Sequence, residues 1–294
     1  MTVLALDIGA TKLAAGRVSL DGAVHQIRTT AVPASSVWGA CRQLLLDVAA
    51  DEQVECLGIG SAGPIDTMAG ATAPPNISEW RTGFPVVAAA QKLFPNAAIR
   101  FAMDGVCLAL AEQCFGAARG ISDALAMTVS SGIGGGLLVG GSVAFGRTGN
   151  AGHVGHILVP GFDDPCTCGG HGCVEAIASG HSAVRWARDQ GWTGNTGVEL
   201  AEGARTGDPI ATAALHRAGT ALGHAISSAT ATLDVGLVVI GGGFAQAGPP
   251  LWDPLRAAVA RHARLSFQSD LRVVHSQLGV RATLVGAGVL TIAS

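Results

Sequence analysis

The sequence predicts an α/β protein of two lobes that share a duplicated unit. Its 294 residues suffice to bury a large core. Short apolar strands alternate with segments of helical spacing, which is typical of α/β proteins. A strand–turn–strand pattern at residues 3–22 recurs at residues 124–141, and such an internal echo indicates duplication. We expect a smaller first lobe at residues 1–117, completed by a C-terminal helix at 283–294, and a larger second lobe at residues 118–282.

Apolar runs bounded by turn-forming residues predict the strands. In chain order they are Val3–Leu6, Leu13–Ser19, Val54–Ser61, Ala98–Met103, Ala124–Val129, Leu137–Val139 and Val235–Ile240. Segments of helical spacing or composition predict the helices Val37–Ala50, Phe84–Phe94, Gly105–Ala118, Leu200–Thr206, Pro209–Leu233, Pro254–Leu265 and Gly286–Ile292. Residues 70–83 are rich in proline, glycine and asparagine, so they are expected to form a loop. Asp21-Gly22 and Gly140-Gly141 are expected to close hairpins.

Composition and charge argue against several classes of function. The net charge of −3 offers no basic surface for nucleic acid. No apolar run is long enough to predict a membrane span. The seven cysteines show no disulfide-framework spacing, which favours a reducing compartment. The N-terminus, MTVLALDIGATK, lacks the basic region and long apolar run of a signal peptide. We therefore expect a cytoplasmic protein.

One histidine and three cysteines have the spacing of a metal site. The four residues are His156, Cys166, Cys168 and Cys173, and the cysteines follow a C-x-C-x4-C pattern. Three thiolates and one imidazole make a closed tetrahedral set for Zn²⁺, with no open position for water. We therefore predict a structural zinc ion that shapes residues 156–175 and performs no chemistry itself. His153 and His171 are alternative ligands, but both are displaced from the spacing that closes the set.

Two glycine-rich hairpin turns, one in each lobe, are predicted to hold the phosphates of a nucleotide. In the first turn, Gly9 supplies a flexible backbone, Thr11 a hydroxyl and Lys12 an ammonium group. Asp7 supplies a carboxylate that could hold Mg²⁺ through water. The second, residues 130–136, supplies hydroxyls and glycines from Ser130, Ser131, Gly132, Gly134 and Gly135. Phosphoryl transfer requires phosphates held from both sides. An Asx-type turn remains an alternative interpretation of the first motif.

Further residues are candidates for nucleotide and sugar contacts. Gly242 and Gly243 follow a predicted buried strand and would let adenine lie against the backbone, although a tight turn explains them equally well. Asp104, at the end of a strand, can orient a sugar hydroxyl and accept its proton, and a helix N-cap is its alternative role. Glu175 would be positioned by the zinc site, or would be a solvated carboxylate at a helix start. One ring nitrogen of His156 can bind zinc while the other faces a ligand.

Together these motifs resemble those of the ROK family of sugar kinases. The resemblance is carried by DIGATK, by the turn at residues 130–136 and by G-x2-G-N-A-G-x2-G-H-x9-C-x-C-G-x2-G-C-x-E, and it covers essentially the whole chain. It implies an actin-like (ribonuclease H-like) fold with a central ligand cleft. It also implies ATP and Mg²⁺ as cofactors, a structural zinc ion and a homodimer. Asp104 would be the catalytic base, and the sugar contacts would be Gly63, Asn76, Asp104, His156 and Glu175.

Two positions depart from the glucokinases of that family. His153 stands where they carry glutamate in an E-x-G-H motif, and Met103 stands where asparagine usually precedes the catalytic aspartate. The motif A-G-H-x-G-H and the segment GCVEAIASG resemble bacterial N-acetylmannosamine kinases. That resemblance implies phosphorylation of the C6 hydroxyl of N-acetylmannosamine in amino-sugar (sialic acid) breakdown. A neutral histidine can donate or accept a hydrogen bond, so we expect His153 to contact the sugar and to select a 2-acetamido group.

Alternative functions remain within and outside this class. A glucokinase or N-acetylglucosamine kinase would use the same motifs, and polyphosphate could replace ATP as the donor. The family also contains repressors with a DNA-binding helix-turn-helix ahead of the kinase-like part. Because the DIGATK motif begins at Asp7 and the charge is unsuited to DNA, we do not expect one here. A catalytically inactive sugar-binding module is a third possibility, against which Asp104 and Lys12 argue.

Overall fold

The computed structural model describes residues 2–50 and 52–292. Its contacts group the chain into two compact units. Among the described residues, the first unit contains residues 2–50, 52–122, 135–152 and 276–292, and the second contains residues 123–134 and 153–275. The segment 135–152 thus groups with the first unit, whereas the sequence placed it in the second lobe. The lobe boundaries themselves stay a prediction, and the last two residues of the predicted C-terminal helix, 293–294, lie outside the described residues.

The described residues form twelve β-strands and nine α-helices. The strands are β1 (Val3–Ile8), β2 (Lys12–Val18), β3 (Val24–Ala31), β4 (Cys56–Ser61), β5 (Ile65–Asp66), β6 (Ala71–Thr72), β7 (Ala98–Met103), β8 (Ala124–Val129), β9 (Ile133–Val139), β10 (Ser142–Ala144), β11 (Leu237–Gly241) and β12 (Arg272–His275). The helices are α1 (Val37–Ala49), α2 (Val86–Leu93), α3 (Asp104–Phe115), α4 (Val174–Ala178), α5 (Gly180–Asp189), α6 (Gly197–Arg205), α7 (Pro209–Leu233), α8 (Pro249–His262) and α9 (Ala282–Ile292).

Two five-stranded sheets have the same topology, which supports the predicted duplication. The strand orders are β3-β2-β1-β4-β7 and β10-β9-β8-β11-β12. Taken in chain order, the five strands of each sheet occupy its third, second, first, fourth and fifth positions. Counted in chain order, the second and third strands of each sheet pair antiparallel with each other. The first, fourth and fifth strands run parallel to one another. Parallel strands place their carboxyl ends at one edge, where ligands bind in α/β proteins.

The first sheet is buried by helices. Leu4 and Leu6 of β1 and Leu57 and Ile59 of β4 are completely buried, and they form a core with Leu45 of α1. Helix α9 packs against α3 and β4. This approach is very close, because a Cβ atom on Gly286 would overlap the backbone of Cys107. This contact explains why helix α9 groups with the first unit.

Helix α7 is the central helix of the second unit. It spans 25 residues, begins after the N-cap Asp208 and places Pro209 in its first turn. Helices α4, α5, α6 and α8 all pack against it. Within residues 2–50 and 52–292, no helix is both long enough and apolar enough to cross a bilayer.

Several elements differ from the sequence prediction. Strand β9 begins at Ile133, so the predicted seven-residue turn at 130–136 is too long. The loop predicted at 70–83 contains strand β6 and a 3-10 helix, Ser78–Trp80. The exposed edge strand β3 and the short edge strand β12 were not predicted, because neither shows a long apolar run.

Candidate functional site

In the first unit, the charged residues predicted for phosphate binding and catalysis lie near the ends of strands. Asp7 is the penultimate residue of β1, Lys12 is the first residue of β2, and Asp104 follows β7 as the first residue of α3. The N–H of Gly9 donates to the carbonyl oxygen of Lys12 at 3.0 Å and closes the hairpin. Both β1 and β7 run parallel to β4, so Asp7 and Asp104 lie at the same edge of the sheet.

The ionisation of Asp7 reflects this proximity. Burial and the negative charge of Asp104 raise the pKa of the Asp7 carboxyl from 3.8 to about 7, while Lys12 lowers it. A carboxylate that is desolvated and repelled by a second carboxylate is stabilised by a divalent cation, and Mg²⁺ prefers such oxygen ligands. The donor set of Asp7 and Asp104 therefore fits Mg²⁺. The Oδ1 atom of Asp104 also accepts a hydrogen bond from the N–H of Gly105 at 2.7 Å.

The residues predicted to contact sugar in this unit have different environments. Asn76 is exposed and lines a groove of about 280 Å³ together with Thr11. Gly63 is half-buried and precedes Pro64 through a cis peptide bond. Met103 is only 1% exposed at the end of β7, so its side chain belongs to the core. The departure from asparagine at this position therefore replaces a polar group by a buried apolar one.

The predicted zinc ligands converge in the second unit. Their donor atoms, in His156, Cys166, Cys168 and Cys173, all lie within 4.8 Å of one another. The Sγ atoms of Cys168 and Cys173 are 3.8 Å apart, and Sγ of Cys166 is 3.9 Å from Nδ1 of His156. A tetrahedron with Zn–S bonds of about 2.3 Å has edges of about 3.8 Å. The set therefore fits Zn²⁺ and leaves Nε2 as the second ring nitrogen of His156.

Backbone hydrogen bonds shape the metal loop, which we define as residues 156–175. The N–H of Cys166 donates to the carbonyl of Gly170 at 2.8 Å, and the N–H of Gly170 donates to Sγ of Cys168 at 3.4 Å. Burial and the neighbouring thiols of Cys166 and Cys168 raise the pKa of the Cys173 thiol to about 12. Three thiols this close become thiolates together only beside a cation, as a zinc ion would provide.

The two alternative histidine ligands lie outside this cluster. His171 is exposed, and its Nδ1 lies 3.2 Å from the carbonyl oxygen of Asp163. The rings of His153 and His156 have centroids 5.6 Å apart. The buried Nε2 atom of His153 has no hydrogen-bond partner among the residues that the structure describes. Burial lowers the pKa of the His153 imidazole, and His156 lowers it further, so His153 is a neutral group with an unsatisfied nitrogen.

The second predicted phosphate turn is shorter than expected. It comprises residues 130–132, because Gly134 and Gly135 lie in β9. The N–H of Ser130 donates to the carbonyl of Gly132 at 2.9 Å, and the N–H of Gly134 donates to Oγ1 of Thr128 at 3.1 Å. These two amides are therefore engaged within the hairpin, and Ser131 also lies in the turn.

The predicted adenine-contacting glycines lie beside this turn. Strands β8 and β11 are parallel neighbours, so the turns that follow them are adjacent. A Cβ atom on Gly243 would be 3.9 Å from Oγ of Ser130. Gly242 has a positive φ of 99°, and a Cβ atom there would overlap the backbone of Val129. Both the close approach and the left-handed backbone require glycine at this position.

Glu175 connects the metal loop to the same turn. It lies in the first turn of α4, directly after Cys173, and its Oε2 accepts a hydrogen bond from the N–H of Ile133 at 2.8 Å. A carboxylate has capacity for further acceptor contacts beyond this one. The structure thus brings Glu175 to the turn after β8, which its position in the sequence did not indicate.

Sequence reasoning also missed a positioning residue, Asn150. Its Oδ1 accepts a hydrogen bond from the N–H of Ile65 at 2.9 Å, and its Nδ2 donates to the carbonyl of Ile65 at 2.7 Å. Asn150 therefore fixes the backbone that follows Gly63. Its place in the G-N-A-G motif was the available signal, but the motif alone does not identify the contacted segment.

Comparisons with known proteins define the class of protein. The model of the ROK family matches residues 3–294. An N-acetylmannosamine kinase of Escherichia coli is 35% identical, over 99% of this chain and 99% of that protein. A glucokinase of Thermotoga maritima is 30% identical, over 98% of this chain and 96% of that protein. A solved ROK family glucokinase from Streptomyces griseus, in complex with glucose and AMPPNP, is 29% identical with a TM-score of 0.89 over 100% of both chains.

The chain belongs to the ROK family. These matches and the two duplicated sheets confirm the predicted class, a ROK-family sugar kinase with an actin-like α/β fold.

Proposed function

We propose that this kinase phosphorylates a 2-acetamido hexose, N-acetylmannosamine in particular, at its C6 hydroxyl with ATP as the donor. The full-length similarity to an N-acetylmannosamine kinase supports this substrate. The observation that carries the proposal is the buried Nε2 of His153, which lacks a protein partner among the described residues. A buried polar atom without a partner costs free energy. A ligand's acetamido group or hydroxyl would satisfy it.

The chemistry of a neutral imidazole explains why this residue favours a 2-acetamido sugar. Glutamate only accepts hydrogen bonds and carries a negative charge, so it suits adjacent hydroxyl donors. A neutral histidine can donate to the acetamido carbonyl or accept from its N–H, because the tautomer can change. Its lowered pKa keeps His153 neutral near pH 7.

In the proposed reaction, Asp104 accepts the proton of the C6 hydroxyl as the oxygen attacks the γ-phosphorus. The bond from that phosphorus to the bridging oxygen breaks, and ADP leaves. The ammonium group of Lys12 and the hydroxyl of Thr11 would bind phosphate oxygens, and Gly9, whose N–H closes the hairpin, would let the backbone of this turn approach them closely. Mg²⁺ held near Asp7 and Asp104 would neutralise developing phosphate charge. With its carboxyl pKa raised by burial and by Asp104, Asp7 becomes fully ionised near neutral pH when a cation is close.

Other residues are proposed to position the two substrates. The hydroxyls of Ser130 and Ser131 and the backbone of Gly132 would face the nucleotide phosphates. Gly134 and Gly135, which lie in β9, would leave space beside that turn for them, and Gly242 and Gly243 would face adenine. Gly63, Asn76, His156 and Glu175 would contact the sugar. The zinc ion would hold the metal loop, and with it His156 and Glu175, in one arrangement. We further propose that the kinase is a cytoplasmic homodimer that binds neither nucleic acid nor membrane.

Glucose is the second candidate substrate, because a glucokinase is also similar over nearly the full chain. The substitution His153→Glu separates the two candidates. We expect it to lower kcat/KM for N-acetylmannosamine by about 10- to 100-fold while raising that for glucose, since one mispaired polar contact costs 1–3 kcal/mol. Coupled ADP-release assays with both sugars measure this change. An unchanged ratio of the two kcat/KM values would contradict the proposed role of His153.

A further inference from the structure

Arg217, on helix α7, contacts three separate parts of the second unit: the metal loop, α4 and α5. Its Nη2 donates to Oδ2 of Asp164 at 2.6 Å. Its guanidinium carbon lies 5.0 Å from the ring centroid of Phe162 and 5.5 Å from that of Trp186 on α5. Its Nη1 donates a longer hydrogen bond, 3.5 Å, to the carbonyl of Ile177 in α4. None of these contacts follows from a sequence motif, because Asp164 and Arg217 are 53 residues apart.

Through Asp164, this arginine acts on both arms of the metal loop. Asp164 lies two residues before Cys166, on the first arm. Its backbone carbonyl accepts a hydrogen bond at 2.9 Å from the N–H of Gly172, the residue before Cys173 on the second arm. The side chain of Asp164 therefore binds Arg217, while the backbone carbonyl of Asp164 joins the two arms of the loop. Displacement of Asp164 would change the separation of the two cysteine-bearing segments.

The contact with α4 extends this effect to Glu175. Helix α4 begins immediately after Cys173 and carries Glu175 in its first turn. The carbonyl of Ile177, near the end of α4, accepts the second hydrogen bond from Arg217. Glu175 therefore lies on a short helix between Cys173, a proposed zinc ligand, and the carbonyl of Ile177 that Arg217 contacts.

The environment of this ion pair makes it stronger than a surface pair. The side chains of Arg217 and Asp164 are 16% and 23% exposed. A partly desolvated pair is screened less by water than an exposed one. A planar guanidinium can stack on two aromatic rings and still donate in its own plane, which a lysine ammonium cannot do. Lysine is therefore a poor replacement at position 217.

We propose that Arg217 is a positioning residue that holds the metal loop in the arrangement required for zinc retention and sugar binding. Arg217 acts through Asp164 and α4, and among the described residues its hydrogen bonds go to no proposed zinc ligand. This inference rests on the zinc site proposed above. It does not depend on which sugar is phosphorylated.

The first test measures zinc release from the purified full-length protein. Zinc content is determined by elemental analysis, and release into excess chelator is followed with a chromogenic zinc indicator. We expect release about 10- to 100-fold faster from Arg217→Met and Asp164→Asn, the range seen when groups that orient metal ligands are removed. Arg217→Lys should resemble Arg217→Met. The double variant should release zinc no faster than the faster single variant, because both changes break one interaction.

Arg185→Met is the matched control. Arg185 also donates to a carbonyl of α4, that of Ala176 at 3.3 Å, but it is exposed on α5 and, among the described residues, forms no ion pair with the metal loop. We expect this variant to release zinc at the wild-type rate. Equal acceleration in Arg185→Met and Arg217→Met would contradict a specific role for Arg217.

The second test separates positioning from general stability. We expect Arg217→Met to raise the KM for sugar about 10-fold with little change in kcat or in the KM for ATP. A lower melting temperature with wild-type zinc release and wild-type sugar KM would overturn the proposal. So would a wild-type protein that contains no zinc. If zinc release accelerates but no sugar is phosphorylated, the role of Arg217 stands and the proposed kinase function fails.

Discussion

Replacing Asp7 with asparagine should stabilise the fold at alkaline pH. The pKa of the Asp7 carboxyl in the folded protein is about 7, above its ordinary value of 3.8. Its contribution to stability is therefore fully present below pH 3.8 and is lost as the pH rises through about 7. The difference between these two pKa values corresponds to about 4 kcal/mol, which the partial solvent exposure of Asp7 reduces to about 2–4 kcal/mol. Asparagine carries no charge, so Asp7→Asn avoids this loss.

Urea unfolding in metal-free buffer at several pH values, followed by circular dichroism, measures this difference. The free energy of unfolding of Asp7→Asn should exceed that of the wild type by about 2–4 kcal/mol at pH 8 and by little at pH 4. Two control variants test whether each neighbouring charge raises or lowers the pKa of Asp7. Asp104→Asn should reduce the loss of stability with pH, and Lys12→Met should increase it. A difference between Asp7→Asn and wild type that does not vary with pH would refute the reasoning.

Two further substitutions test the proposed catalytic base and a buried anchor. Asp104→Asn should lower kcat by about 10²- to 10⁴-fold with little change in the KM for sugar, because the base acts as the oxygen attacks. A coupled ADP-release assay measures both constants, and a retained kcat would remove Asp104 from that role. Glu112 is completely buried, and its carboxylate accepts hydrogen bonds from the N–H of Ala117 at 2.7 Å and from Oγ of Ser276 at 2.5 Å. Glu112→Ala should lower the free energy of unfolding by about 2–4 kcal/mol, since it leaves these donors unsatisfied. A loss below about 1 kcal/mol in urea unfolding would contradict that accounting.

The elements that sequence predicted best are those with strong local signals. Strands β7 and β8 and helix α7 have the predicted bounds, because mainly apolar runs that end before Asp104 and Ser130 mark the strands and Pro209 marks the start of the helix. Strand β3 was missed because most of its residues are exposed. Strand β9 was shortened in the prediction because its glycines resemble a turn. In the structure, Gly136 lies so close to Gly105 that neither position could hold a Cβ atom without overlap.

In the candidate site too, residues that lie close together in the sequence were predicted, whereas contacts between distant residues were not. The proposed zinc ligands could be selected from the sequence because they lie within a span of 18 residues and follow a recognisable pattern. The contact of Glu175 with Ile133 and that of Arg217 with Asp164 join residues 42 and 53 positions apart. Such contacts depend on how α4 and α7 pack, which residue spacing does not specify. The repulsion between Asp7 and Asp104 likewise arises only when β1 and β7 flank β4.

A hexose panel tests the central claim most directly. The full-length protein is incubated with MgATP and, separately, with N-acetylmannosamine, N-acetylglucosamine, mannose and glucose. Sugar-dependent ADP release is measured for each, and the products are identified by mass spectrometry. We predict the highest kcat/KM with N-acetylmannosamine and a product phosphorylated at C6. A higher kcat/KM with glucose, or no turnover with any of the four sugars, would contradict the account.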